Sequence, residues 1–253
     1  MGVSFVKNFE RMGVITTPKH FVANSGDGGR DSNPIHYTER FLEETHLVPF
    51  KACFQQGGSQ SVMTAYNMLD GTPCTANSWL NIEKLRKEWG FDGFTIADAD
   101  AVGIIHKLHH TIGNWAEAGA TAVNNGLDVI FQTTYEEHEP FLEACRSGLI
   151  TEEALNRAVC QVLKAKFRLG LFDHPYMNES EADRWNACAE HRALTREAAC
   201  RSMVLLKNEN GLLPLSKNLK RIALIGQDAV EARLGGYSGP GVNKVSMLQG
   251  LKD

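Results

Sequence analysis

The sequence predicts an α/β fold. Strand-like and helix-like segments alternate over residues 1–150, the strand-like ones are apolar, and the composition is that of an ordinary globular protein, 43 % hydrophobic and 22 % charged over 253 residues. Alternating β and α units with apolar strands imply a parallel sheet.

The first strand is Val14-Ile15-Thr16-Thr17, followed by a loop over 18–33 and an amphipathic helix over 38–46. Ser61-Val62-Met63-Thr64-Ala65-Tyr66 is the second. A turn signal, Asp70-Gly71-Thr72-Pro73, precedes a helix over 78–89 with Trp79, Leu80, Ile82 and Leu85 on its apolar face. The third strand covers 94–97, with a helix starting near Ala101. The fourth is Leu127-Asp128-Val129-Ile130-Phe131, preceded by a helix over 115–125 that Gly126 stops. Four such units are half of an eight-unit barrel, which takes roughly 250 residues by itself. The chain is therefore either a small open α/β sheet or begins midway through a barrel.

A long helix follows over 151–171, with Thr151 as N-cap and Glu152-Glu153 facing the positive end of its dipole. Asp173-His174-Pro175 breaks it, and the polar, acidic stretch to Glu190 reads as a linker. A helix over 192–202 leads to a strand at Val204-Leu205-Leu206, a turn at Asn208-Glu209-Asn210-Gly211 and a strand at 221–226. A module of about 50 residues at this end buries little core alone.

The net charge of −4 gives no reason to expect nucleic acid or an anionic membrane as partner. No apolar run approaches the ~20 residues that span a bilayer, and residues 1–7 lack the apolar core of a signal peptide. The six cysteines have no metal-binding spacing and read as buried small hydrophobes. His106, His109 and His110 offer i, i+3, i+4 spacing on a helix, but without an acidic or Cys partner they read as a solvated helix end, so no metal is expected. The segment from Ile222 lacks the glycine pattern of a dinucleotide site.

The most informative stretch is Gly90-Phe91-Asp92-Gly93-Phe94-Thr95-Ile96-Ala97-Asp98: a turn, a short apolar strand, and a carboxylate where the strand runs out. In parallel barrels active sites are built at these C-terminal strand ends, and a buried Asp is costly unless something faces it. By itself Asp98 reads equally as a reactive carboxylate or as a cap for the helix near Ala101.

Five segments in this order resemble glycoside hydrolase family 3, almost from end to end: Thr17-Pro18-Lys19-His20-Phe21-Val22-Ala23-Asn24; Val62-Met63-Thr64-Ala65-Tyr66-Asn67 with Asp70-Gly71-Thr72-Pro73; residues 90–98; Lys166-Phe167-Arg168-Leu169-Gly170-Leu171-Phe172-Asp173; and Val204-Leu205-Leu206-Lys207-Asn208-Glu209-Asn210-Gly211-Leu212-Leu213-Pro214-Leu215. The resemblance implies the second half of a (β/α)8 TIM-type barrel at 1–172, a linker and helix at 173–202, and the beginning of an α/β sandwich domain at 203–253.

It further implies a retaining β-glycosidase, a β-glucosidase or β-xylosidase, acting on a β-linked oligosaccharide or an aryl or alkyl glycoside without a cofactor. Such enzymes place a nucleophile and a proton donor ~5–5.5 Å apart. Asp98 matches the nucleophile; Lys19 and His20 match the pair that holds sugar hydroxyls. Tyr66 matches a residue beside the nucleophile, expected to donate a hydrogen bond to its carboxylate, and Met63 matches a position that touches the sugar. Asp27, Arg30 and Asp31 could line the pocket mouth, and Asp100 reads as a loop residue. Ala97 and Ala99 stand where the family usually has Ser before the nucleophile and often Trp or Cys after it.

The family's usual proton donor, a late Glu of the second domain, has no match: Glu209 and Glu231 lie too early. The loop at 22–33 lacks the histidines of the N-acetylglucosamine branch. The chain is thus expected to be a fragment, weakly active or inactive alone unless a complementing chain or a homo-oligomer completes it. The alternative is a catalytically dead sugar-binding or scaffold fragment of the same fold.

Overall fold

The computed structural model describes residues 1–25 and 33–252, and the chain divides into two units, Met1–Tyr176 and Met177–Asp253. The first unit is α/β. Its elements are α1 (Gly2–Arg11), β1 (Pro34–Ile35), α2 (Glu39–Glu44), α3 (Leu47–Gln55), β2 (Ser61–Met63), β3 (Met68–Leu69), β4 (Thr72–Pro73), a π-type helix (Trp79–Glu88), β5 (Phe94–Ile96), α4 (Ala101–Lys107), α5 (Trp115–Asn124), α6 (Glu139–Arg146) and α7 (Glu152–Arg168).

Four parallel segments lie side by side in chain order. β2 pairs β5 with Ser61 opposite Phe94 and Met63 opposite Ile96. Phe21 bridges Thr64 on one side, and Ile96 bridges Val129 on the other, both parallel. The first and fourth predicted strands are therefore present as single bridging residues. For the first, the pairing sits at Phe21 rather than at 14–17. These outer segments have a ladder neighbour on one side only, so few of their backbone groups are held in register.

The predicted turn at Asp70-Gly71 is the tip of the β3–β4 hairpin. Both residues have positive φ, 48° and 81°, as two-residue hairpins of the favoured hand require. β1 joins the hairpin through β3. Two helix ends follow the sequence closely. The Thr151 hydroxyl accepts the Ala154 N–H at the start of α7, and Gly126 (φ 110°) terminates the α5 segment. Three helices, α1, α3 and α6, were not foreseen. α3 carries Pro49 in its first turn, where the missing N–H would have no intrahelical partner.

Buried ionic contacts fix how the layers meet. The Asp128 side chain has no exposed surface. It accepts from the Thr95 N–H at 2.8 Å and from Arg86 Nη2 at 2.5 Å, with Arg157 Nε 3.5 Å away. Burial pushes its carboxyl up against the opposing pull of the two guanidiniums, and the same burial lowers the pKa of Arg157. Lys84 is enclosed by Glu39, Glu43 and Glu88 at 2.8, 2.5 and 2.8 Å, tying α2 to the π-type helix and raising the amine above its ordinary value against the effect of burial. Glu10 of α1 accepts from the N–H and hydroxyl of Thr16, both at 2.7 Å, and from the N–H and side chain of Gln60 at 3.3 and 2.9 Å.

The second unit contains α8 (Glu179–Trp185), α9 (Ala189–Ser202) and α10 (Met247–Lys252), with one-turn helices at Glu209–Gly211 and Gln227–Ala229. The stretch read as a linker thus contains a helix, capped by the Asn178 side chain accepting from Ser180 N. The strands predicted at 204–206 and 221–226 are not formed, and none of the described residues of this unit is in a strand. Val204, Leu206 and Ile225 are exposed. Apolar β-formers become a strand only where a neighbour takes up their backbone groups, and here none does.

Two expectations follow. A methyl group at Gly93 would lie 2.1 Å from the Gln60 carbonyl oxygen on the neighbouring strand. Gly93→Ala should therefore lower the unfolding free energy by at least ~1–3 kcal/mol in urea titration, the range typical of overpacking. Asp92, exposed at the turn before β5, is paired with Lys164 and, at 2.8 Å, with Arg168 of α7; these cations hold its carboxyl below its ordinary value. A carboxyl depressed in the fold contributes stability above its unfolded pKa of about 3.9 and loses it as pH falls through the folded value. Asp92→Asn should accordingly flatten the acid limb of the melting-temperature profile.

Candidate active site

The C-terminal ends of the four parallel segments bring together His20, Tyr66, Asp98, Asp100 and Thr133. Ala97 donates its N–H to Val129 O at 2.9 Å, so pairing continues up to the residue before Asp98. The chain then turns: Ala101 N donates to Asp98 O at 3.0 Å, and Asp100 adopts φ 61°. This turn leaves Asp98 only 8 % exposed.

One carboxylate oxygen of Asp98, Oδ1, accepts from Ala99 N at 2.8 Å. The other, Oδ2, stands 2.9 Å from His20 Nε2 at the end of the first segment. The Asp98 side chain does not cap α4, whose N-cap position is taken by Asp100. A nearly buried carboxylate, steadied by one N–H and flanked by an imidazole, has the fixed geometry that a nucleophile or a base needs.

Tyr66 differs from expectation. Its phenol donates to the carbonyl of Ala99 at 2.7 Å, because the sharp turn after Asp98 brings that carbonyl within reach of the phenol. Tyr66 therefore secures the turn by its backbone, and its ring lies 6.4 Å from that of His20. Met63 is half-buried in β2; its N–H donates to Pro18 O, and its carbonyl accepts from Phe21 N. Lys19 is exposed and lines a largely apolar cavity of about 340 Å³ with Phe5, Val6, Pro18, Phe50 and Cys53. Asp27, Arg30 and Asp31 lie outside the described residues. Ala97 is buried and Ala99 half-buried.

The histidine trio does not share one helix face, because α4 ends at Lys107 and His110 has φ 53°. Among the described residues no group of three His, Cys, Asp or Glu side chains could hold a metal. Burial pushes the Cys74 thiol up to about 12, which makes it a packing residue rather than a nucleophile. Asp100 is the residue whose part was least legible. Both its oxygens are engaged by Thr133, through the N–H at 2.8 Å and the hydroxyl at 3.0 and 2.9 Å. The available signal was an Asp two residues past a strand end, since Asp tolerates the left-handed conformation better than most residues.

Comparison with known proteins places this geometry. Residues 1–165 match the glycosyl hydrolase family 3 N terminal domain, and residues 203–253 match the family's C-terminal domain. A β-xylosidase of Formosa agariphila is 35 % identical over all of this chain and 38 % of its own length. A periplasmic β-glucosidase of Salmonella typhimurium is 36 % identical over all of this chain and 35 % of its own. The solved structure of a β-glucosidase from Erythrobacter marinus superposes with a TM-score of 0.86 at 36 % identity, covering 94 % of this chain and 32 % of that one. The chain thus spans about a third of the length of these relatives. On the two domain matches and the full-length similarity, the chain belongs to glycosyl hydrolase family 3.

Proposed function

We propose that this chain carries the nucleophile-bearing part of a retaining β-glycosidase that removes β-linked glucose or xylose. In this reading residues 1–172 are the second half of an eight-stranded barrel, 173–202 a linker and helix, and 203–253 the start of an α/β sandwich. Four parallel segments adjacent in chain order support the barrel half, and the boundary at Tyr176 lies close to the proposed linker.

One observation carries the functional reading: the Asp98 carboxylate, nearly buried at a strand end, with His20 beside it at 2.9 Å. Asp98 attacks the anomeric carbon, the glycosidic oxygen departs, and a glycosyl ester forms; water then attacks that ester and frees Asp98. His20 and Lys19 hold sugar hydroxyls, with Met63 on the wall of the subsite. Tyr66 acts one step removed, by fixing the Ala99 carbonyl and with it the turn. Asp100 is not the acid partner, because Thr133 engages both its oxygens. The proton donor is supplied from outside residues 1–253, and no cofactor takes part.

An aryl β-glucoside or β-xyloside with an activated leaving group hardly needs a proton donor, so it tests the nucleophile alone. The wild-type chain should hydrolyse one of them, and Asp98→Ala should lose on the order of 10⁴–10⁶-fold in rate, the scale seen when one member of a catalytic unit is removed. Intact-mass detection of a glycosyl adduct on the wild type and none on Asp98→Ala would accompany that loss. Equal rates in the two proteins would remove Asp98 from the mechanism, and sugar binding without turnover would favour a non-catalytic binding module.

A further inference from the structure

We infer that Asp100 is a positioning residue: by clamping the turn after β5 to Thr133, it holds the Asp98 carboxylate against His20. The inference deepens the proposed role of Asp98 and takes its catalytic meaning from that reading. The geometry it describes does not depend on turnover.

Asp98 sits in a turn whose third residue is Asp100. The turn is closed at one end by Ala101 N donating to Asp98 O at 3.0 Å, and Asp100 enters it at φ 61° and ψ 5°. A side chain at the first position of a tight turn points where the turn points it, so whatever fixes Asp100 also aims Asp98. Asp100 is fixed from the neighbouring segment rather than from its own helix. Its side chain makes no bond to the first N–H groups of α4, although it occupies the N-cap position.

Every contact of the clamp crosses to the fourth segment. The Asp100 N–H donates to Phe131 O at 2.9 Å. Its carboxylate accepts from the Thr133 N–H at 2.8 Å and from the Thr133 hydroxyl at 2.9 and 3.0 Å. The buried amide of Gln132, turned as its neighbours demand, donates to Asp100 Oδ1 at 2.8 Å and accepts from Gly103 N at 3.2 Å. Three consecutive residues of one loop therefore hold one residue of another. On the opposite side of the same turn, the Tyr66 phenol takes the Ala99 carbonyl. The turn bearing Asp98 is gripped by both neighbouring strand ends, and Asp100 is the grip on one side.

The side chains this position accepts are narrow. Glycine satisfies the left-handed backbone but has no carboxylate for Thr133. Asparagine tolerates the conformation and retains an acceptor oxygen. The pair Asp100→Gly and Asp100→Asn thus separates backbone shape from the clamp.

The readout is the titration midpoint of the His20 ring, followed by NMR on the full chain at constant salt. A carboxylate held beside an imidazole favours its protonated form, and Asp98→Asn measures the whole of that effect. With Asp100→Gly, the midpoint should fall by at least half of the Asp98→Asn change, while a dispersed spectrum shows the fold intact. Asp100→Asn should stay near wild type, and Thr133→Val should move the midpoint in the direction of Asp100→Gly by a smaller amount. Where Asp100→Gly fails to fold, Thr133→Val decides: a fall in the midpoint supports the clamp, and an unchanged midpoint overturns it.

The inference is overturned if the folded glycine variant moves the His20 midpoint by less than half of the Asp98→Asn change, if asparagine moves it as far as glycine does, or if Asp98→Asn itself has no effect. No sugar enters this experiment. A normal His20 response together with hydrolysis indifferent to Asp98 would sink the catalytic reading alone, whereas loss of hydrolysis on Asp98→Ala with no His20 response would sink the clamp alone.

Discussion

The buried carboxylate of Asp128 is the constraint on which the rest of the sheet depends. It lies at the start of the fourth segment and reaches sideways to the N–H of Thr95 in β5, while Arg86 from the π-type helix and Arg157 from α7 close over it. A charge this deep is tolerated only with partners on every side. The sheet, the π-type helix and α7 must therefore come together around it. Once they do, the register between β5 and the fourth segment is set, because a slip of one residue would turn Asp128 to the other face and leave two guanidiniums facing apolar side chains.

That register is felt a few residues further on. With Thr95 and Val129 paired, Ala97 meets Val129, Asp100 meets Phe131, and Thr133 comes within reach of the Asp100 carboxylate. The end of the sheet that carries Asp98 is thus specified from its opposite end, through a ladder only a few residues long. His20 and Tyr66 reach the same turn from the other side, carried by the pairing of Phe21 with Thr64. A charged network supplies stability at one end, and at the other end side chains with geometric tasks are spared from supplying it.

Much of this was legible in the sequence because local rules and tertiary structure agree. Gly126 ends a helix and Thr151 begins one as their chemistry suggests, and the apolar runs at 61–66, 94–97 and 127–131 mark three of the four parallel segments. Helix α3 was hidden because it is short and carries Pro49 in its first turn. The strands expected at 204–206 and 221–226 failed for the opposite reason: their residue types suit a sheet, but a strand is a property of two segments, and no partner stands beside these. In the site, a strand end announced Asp98, since a polar residue closing an apolar run is visible in one dimension, whereas only the family resemblance points to His20. What Tyr66 and Asp100 bind was not, because each contact crosses 33 residues of sequence to a backbone group or a hydroxyl that no motif marks.

The separations spanned by these contacts also order the assembly of the unit. The Asp128 contacts to Thr95 and Arg86 span 33 and 42 residues, the Glu10 contacts to Gln60 span 50, and the Asp92 contacts to α7 span 72 and 76. Loop closure costs entropy that grows, if slowly, with the length closed, and rates fall as contacts become less local. The β5 pairing that carries Asp98 and Asp100 is therefore among the least distant of the contacts that define the sheet. Glu10 of helix α1 has a local partner in Thr16, six residues on, and waits for Gln60, 50 residues away, only for the rest of its hydrogen bonds. In a nascent chain Asp98, Asp100 and Thr133 can meet once the fourth segment has emerged, whereas the Asp128 network closes only when α7 supplies Arg157.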